Sequence, residues 1–314
     1  MYEVLNMQNN KPEIIAIEDQ HFGSHVEHWS LLTENPTQTV PQWLGQALDQ
    51  PDMPMGLCQQ ESEIDPSTWL ILGPKKSVIQ SAQVIAVENN QPRAVKTAFP
   101  TFSSPYKTTA TIDRIICSQS ESQAVLSLNI NNSTLYAFDS LYSVNKNQYQ
   151  ADQKYAVALS AWSYELEIVD KNEHIVVDDP ASIQHHRALN AILEANQGVA
   201  PDNLQEQIDA WEPKTEEDKA PLKVDFSKMV AYLHGENLGQ EDEAWFQGQI
   251  VGKSTTTFQE QTYTLYDVTI LLEDHAEATL IRIATQHLSD QDYQIGQYIR
   301  GNVWILANIY STIK

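Results

Sequence analysis

Tyr149-Gln150-Ala151-Asp152-Gln153-Lys154-Tyr155 leads into an apolar stretch that carries Trp162, and Tyr293-Gln294-Ile295-Gly296-Gln297-Tyr298 leads into another that carries Trp304. Two short alternating segments and a polar turn precede each: Ala124–Ile130 then Thr134–Phe138, and Tyr263–Leu271 then Ala278–Ala284. Alternation of apolar and polar residues with period two is the signature of a strand with one buried face. The shared order of strand, turn, strand, loop and Tyr-Gln strand suggests two copies of one small β-unit. The spacing differs between them, with Trp162 and Trp304 lying at unequal distances from Tyr149 and Tyr293.

Within the first unit, Ala124, Leu126, Leu128 and Ile130 point one way, and Asn131-Asn132-Ser133 supplies residues suited to a hairpin turn. Along the Tyr-Gln strand the apolar residues change parity. Tyr155, Val157, Leu159 and Ala161 hold odd positions, whereas Trp162, Tyr164, Leu166 and Ile168 hold even ones. A bulge or bend near Ser160–Trp162 is therefore expected, as in strands that serve two sides of a small barrel. The matched order resembles the oligonucleotide/oligosaccharide-binding (OB) barrel, a five-stranded fold that supports many unrelated functions. The expected fold class is mainly β with α: two OB-like units joined by a short helical segment, their likeness explained either by an internal duplication or by the ordinary frequency of Tyr, Gln and Trp in strands and their edges.

Around these units the chain changes character. Residues 1–64 read as an irregular extension with one short helix beginning at Pro41, and Trp69–Leu72 and Ser77–Val87 read as strands of a first β-domain over residues 65–170. Ala181–Asn196 and Pro201–Trp211 have helical spacing, with Asp178-Asp179-Pro180 as an N-terminal cap. Glu212–Pro221 is charged, flanked by prolines and nearly free of apolar residues, which marks a linker closing a connector of residues 171–221. A second β-domain over residues 222–314 is expected after it.

Nineteen basic against 42 acidic residues give a formal charge of −23. Such a surface repels a phosphate backbone, whose binding depends on Lys and Arg. Nucleic acid is thus a disfavoured partner, and single-strand binding through OB-like faces with aromatic stacking stands second to protein binding. Cys58 and Cys117 are the only cysteines, too few for a disulfide framework. Residues 1–20 carry Glu3, Glu13, Glu18 and Asp19 and lack an apolar core of signal-peptide length, and no run is long enough to span a bilayer. A cytoplasmic protein without membrane association is the expectation.

Signatures of chemistry are few. His21, His25 and His28 have spacings that would share one helix face and could hold zinc or nickel, which makes a metal-dependent enzyme the third reading; Gly23 interrupts the segment. Cys117 sits in an apolar strand context, where cysteine behaves as a small hydrophobe. No G-x-S-x-G, phosphate loop or dinucleotide fingerprint is present. Neither a cofactor nor catalysis is expected. For partner binding, the candidates are the acidic run Glu236, Glu241, Asp242 and Glu243, where rim charge would set association rate. Phe138 and Tyr142 are a second candidate contact, with a barrel plug as their alternative role.

Overall fold

The computed structural model describes residues 11–18, 27–234, 240–273, 276–286 and 292–313. It is mainly β with α and contains several sheets. The chain forms two compact units, Met1–Ile168 with Val230–Lys314, and Val169–Met229.

In the larger unit the strands are β1 (Glu13–Ile17), β2 (Thr68–Gly73), β3 (Ile79–Glu88), β4 (Gln91–Phe102), β5 (Thr108–Ser118), β6 (Ala124–Ile130), β7 (Ser133–Asp139) and β8 (Lys154–Ile168). After the smaller unit, which holds β9 (His174–Val177) and β10 (Leu222–Asp225), come β11 (Ala231–His234), β12 (Glu243–Phe258), β13 (Gln261–Leu271), β14 (Thr279–Gln286) and β15 (Tyr298–Ile313). The residues that alternate in sequence do form strands. Their pairing is less local than the sequence suggests.

The long strands β8 and β15 run antiparallel from Ile168↔Ile299 to Lys154↔Ile313. Each also has a partner in the other half of the chain: β15 lies parallel to β7 through Leu306↔Phe138, and β8 lies parallel to β14 through Ala161↔Ile283. β8 further pairs with β5, and β15 with β12. Two cyclic sets of pairings result, β5–β6–β7–β15–β8 and β12–β13–β14–β8–β15, and they share the β8–β15 ladder. The opening strand of each set carries a register irregularity, at Ile112/Arg114 and at Ile250/Gly252.

The expected division into residues 65–170 and 222–314 therefore gives way to one unit built from both. Its physical cause is that neither half has enough strands of its own to satisfy its edges. Apolar side chains from both sets, among them Leu126, Leu128, Leu159, Ala161, Ile283, Ile305 and Ala307, belong to one buried cluster.

The opposite face of the shared ladder is also buried. The antiparallel sheet β2–β3–β4 and helix α1 (Pro36–Asp49) contribute Leu70, Ala82, Val84, Phe99, Phe102 and Trp43 to a second cluster that contains Trp162, Trp304, Leu306 and Phe138. Two-sided burial explains the parity change in β8. Trp162 faces this second layer, so it needs no bulge before it. The irregularity sits two residues later, where Ser163 pairs with Val303, Glu165 with Asn302, and Tyr164 falls between. Gly301 is required there, since a Cβ would lie 2.0 Å from the Glu165 carbonyl oxygen.

The smaller unit pairs β9 with β10 and packs helix α3 (Pro180–Ala195) on helix α4 (Leu204–Ala210) through Ala188, Ile192 and Ile208. Asp179 caps α3 by accepting from Ser182 N at 2.8 Å. The charged run that reads as a linker lies inside this unit. Asp218 accepts from the amides of Lys214 and Thr215 at 2.9 and 2.8 Å, which folds the run into a local turn.

Candidate functional site

Trp162 and Trp304 are direct Cα partners at the middle of the β8–β15 ladder, and both are buried. Around Trp304 the environment is polar. Its Nε1 donates to Asp242 Oδ2 at 2.7 Å, and the amide of Ile305 donates to the Asp242 carbonyl at 2.9 Å. His28, in a 3-10 turn at Glu27–Leu31, stacks flat on the indole with centroids 3.8 Å apart and planes 3° apart. Its Nε2 lies 3.4 Å from Glu243 Oε1, which also accepts from the Tyr164 hydroxyl, while Gln240 N donates to Glu243 Oε2 at 3.0 Å. Burial raises the Glu243 pKa, but the bonds from His28, Tyr164 and Gln240 outweigh it and hold the carboxyl below its ordinary range.

This cluster unites residues from two separate sequence signals, His28 from the histidine run and Asp242 with Glu243 from the acidic run. It also shows how deeply two of these residues lie. Asp242 is 1% exposed and His28 is 3% exposed, so both are parts of the interior. Of the described acidic run Glu241 is exposed, Glu243 half-buried and Asp242 buried. His21, His25 and Glu236 lie outside the described residues. Among the described residues no group of three or more His, Cys, Asp or Glu side chains could hold a metal ion.

A second buried polar group joins β7, helix α2 (Tyr142–Asn145) and β15. Asp139 accepts from the Tyr149 hydroxyl and, through Oδ1, from Leu141 N at 2.9 Å. Asn145 Nδ2 donates to the Tyr149 oxygen at 3.3 Å and to the Ile309 carbonyl at 2.9 Å, and Asn145 Oδ1 accepts from Leu57 N at 2.7 Å. Burial pushes the Asp139 carboxyl up to about 7, against the lowering effect of its two hydrogen bonds. A carboxyl with that pKa has the proton affinity of a general base. At 1% exposure, however, Asp139 is closed to any substrate.

Phe138 and Tyr142 are both buried, Phe138 against Phe99 and Trp304 in the second cluster and Tyr142 in the first, so neither lies on the surface. Cys58 and Cys117 are buried free thiols whose pKa is raised by burial, which fits unreactive packing. A cleft of about 530 Å³ is lined by Tyr106, Lys107, Asn131, Glu277 and Leu280, and no residue of either polar group lines it. No described helix is long and apolar enough to cross a membrane. No protein-family model matches the chain, and neither a curated protein nor a solved structure matches it.

Proposed function

We propose that this chain is a non-catalytic binding protein in which two OB-like barrels, products of an internal duplication, share β8 and β15, and that its partner is a protein with a basic surface. The pairing order supports the barrel reading. In each set three consecutive antiparallel strands come first, the third lies parallel to a borrowed fifth, and the fourth returns to the first, as in the OB barrel.

The observation that carries the choice of partner is the fate of the face on which OB barrels take oligonucleotides, the outer side of the second and third strands. In the second set that face is filled from within: Tyr263, Leu265 and Ala284 are buried in the cluster that holds Trp43 and Phe258. In the first set Tyr136 packs on His234 at 4.6 Å and its amide donates to the Tyr232 hydroxyl at 3.1 Å. Aromatic platforms for bases are thus occupied, and the net charge of −23 opposes a phosphate backbone. Rims and sheet edges remain for a protein partner.

Fluorescence anisotropy with a labelled oligothymidylate is expected to show no saturable binding, whereas affinity capture with the full chain returns a protein of basic pI. Micromolar oligothymidylate binding that weakens steeply with salt would overturn the assignment, as would turnover of a small molecule by the purified chain.

A further inference from the structure

The edges of the larger unit are not alike. On β4, Pro92, Lys96 and Pro100 punctuate the strand, devices that stop another strand from pairing there. β11 is only four residues long. β1 is five residues long and follows Lys11-Pro12, but its own sequence, Glu-Ile-Ile-Ala-Ile, has neither proline nor lysine, and among the described residues it pairs with β5 alone. Ile14 is 53% exposed and Ile15 is 38% exposed, and as neighbours in a strand they lie on opposite faces.

Meanwhile β1 is firmly held on its inner side. Glu13 pairs with Arg114 at 2.9 Å, Ile17 packs against Ile116 and Val125, and Gln119 N donates to the Ile17 carbonyl at 2.9 Å. That last bond sets the phase of the parallel ladder. Odd-numbered residues bond to β5, and Ile14 and Ala16 turn their amides and carbonyls away from it, to a side on which no described strand pairs.

We propose that the outer edge of β1 receives an extended segment of a partner protein in which apolar residues alternate with Lys or Arg. The inference rests on the protein-binding reading above. Main-chain bonds to Ile14 and Ala16 would supply affinity, and exposed Ile14 and Ile15 would receive apolar side chains from the incoming strand. The cationic character follows from the net charge of −23, which also repels a second copy of this chain.

The test uses the full-length isotope-labelled protein and a short capped peptide alternating Lys and Val, followed by amide NMR. Expected are shifts confined to Glu13–Ile17 and their β5 partners, exchange protection at Ile14 and Ala16, and no binding of the matching Glu/Val peptide. An N-methylated Lys/Val peptide, which lacks strand-pairing donors, should bind about tenfold more weakly. Ala16→Pro should weaken the unmodified peptide similarly, and the N-methylated peptide keeps the test valid if that variant misfolds. Absence of binding, equal binding of the N-methylated peptide, or shifts elsewhere overturns the edge site while leaving partner capture to judge the broader function. Self-association that Ala16→Pro abolishes would also overturn it, naming a second copy as occupant.

Discussion

Trp162 and Trp304 hold the same place in the β8–β15 ladder, yet their surroundings differ in kind. Trp162 is enclosed by aromatic edges, Phe102 at 4.9 Å and Tyr263 at 5.9 Å, and its indole N–H has no hydrogen-bond partner among the described residues. Trp304 donates to a buried carboxylate and carries a stacked imidazole. Backbone pairing thus fixes a position, while the layer laid on top decides its chemistry. On one side of the pair the interior is apolar; on the other it contains His28, Asp242 and Glu243. A similar contrast separates the carboxyls near the shared strands, since Asp139 is pushed up by burial and Glu243 is held down by its donors.

The most severe way to break the comparison is to separate its halves. A fragment covering residues 222–314 lacks β8, the parallel neighbour of β14, and one covering residues 65–170 lacks β15. Each is expected to be unfolded alone by circular dichroism, whereas intact protein nicked at Lys214 or Lys219 keeps both pieces together in gel filtration. An independently folded, cooperative C-terminal fragment would refute the shared-strand architecture.

Truncation of the paired indoles comes next. Trp162→Ala and Trp304→Ala should each cost about 3–5 kcal/mol in denaturant unfolding. The Phe variants sharpen the contrast: Trp304→Phe removes a donor from Asp242 and should cost about 1–3 kcal/mol more than Trp162→Phe, which gives up no hydrogen bond. Equal costs would show that the polar layer contributes nothing specific.

The two carboxyls should impose opposite pH dependences. Asp139 has its folded pKa raised from 3.8 to about 7, so between those values the folded state holds a proton that the unfolded chain has lost. Its contribution to stability is full below pH ~4, falls as pH rises to ~7, and totals about 4 kcal/mol as an upper bound. Asp139→Asn should flatten that decline. Glu243 behaves in reverse: its contribution is present above pH ~4.5 and is lost as pH falls through its depressed value, a loss that Glu243→Gln should remove. Chemical denaturation across pH 3–8 on the two variants separates these slopes.

Smallest is the effect expected at Glu241. As the exposed member of its run, Glu241→Lys should change stability by no more than about 0.5 kcal/mol. It should alter the capture rate of a basic partner and its salt dependence, measured by stopped-flow at two ionic strengths.

Individual strands were legible because period-two alternation is a local consequence of one-sided burial. Ala124–Ile130 is β6 to the residue, and the helices near 181–196 and 201–211 are present as α3 and α4. Partnership was not legible. The parallel contacts at Phe138↔Leu306 and Ala161↔Ile283 join residues more than a hundred positions apart, and no local pattern encodes which edge meets which. Burial of charge was equally hidden. Glu241-Asp242-Glu243 reads as a solvated run because one sequence cannot show that Trp304 and Tyr164 bring donors to it. Parity in β8 misled by two residues for a related reason: both faces of that strand are covered, so an apolar residue does not identify its side.

Sharing β8 and β15 also constrains how the chain can be made. As it leaves the ribosome, β5, β6, β7 and β8 are complete long before β15, so β7 waits with an unpaired edge through the synthesis of well over a hundred further residues. Such late, long-range closure slows folding and leaves strand edges open to misassembly in the meantime. β15 acts as a clasp for both halves at once, so the nascent chain stays vulnerable until that strand has emerged.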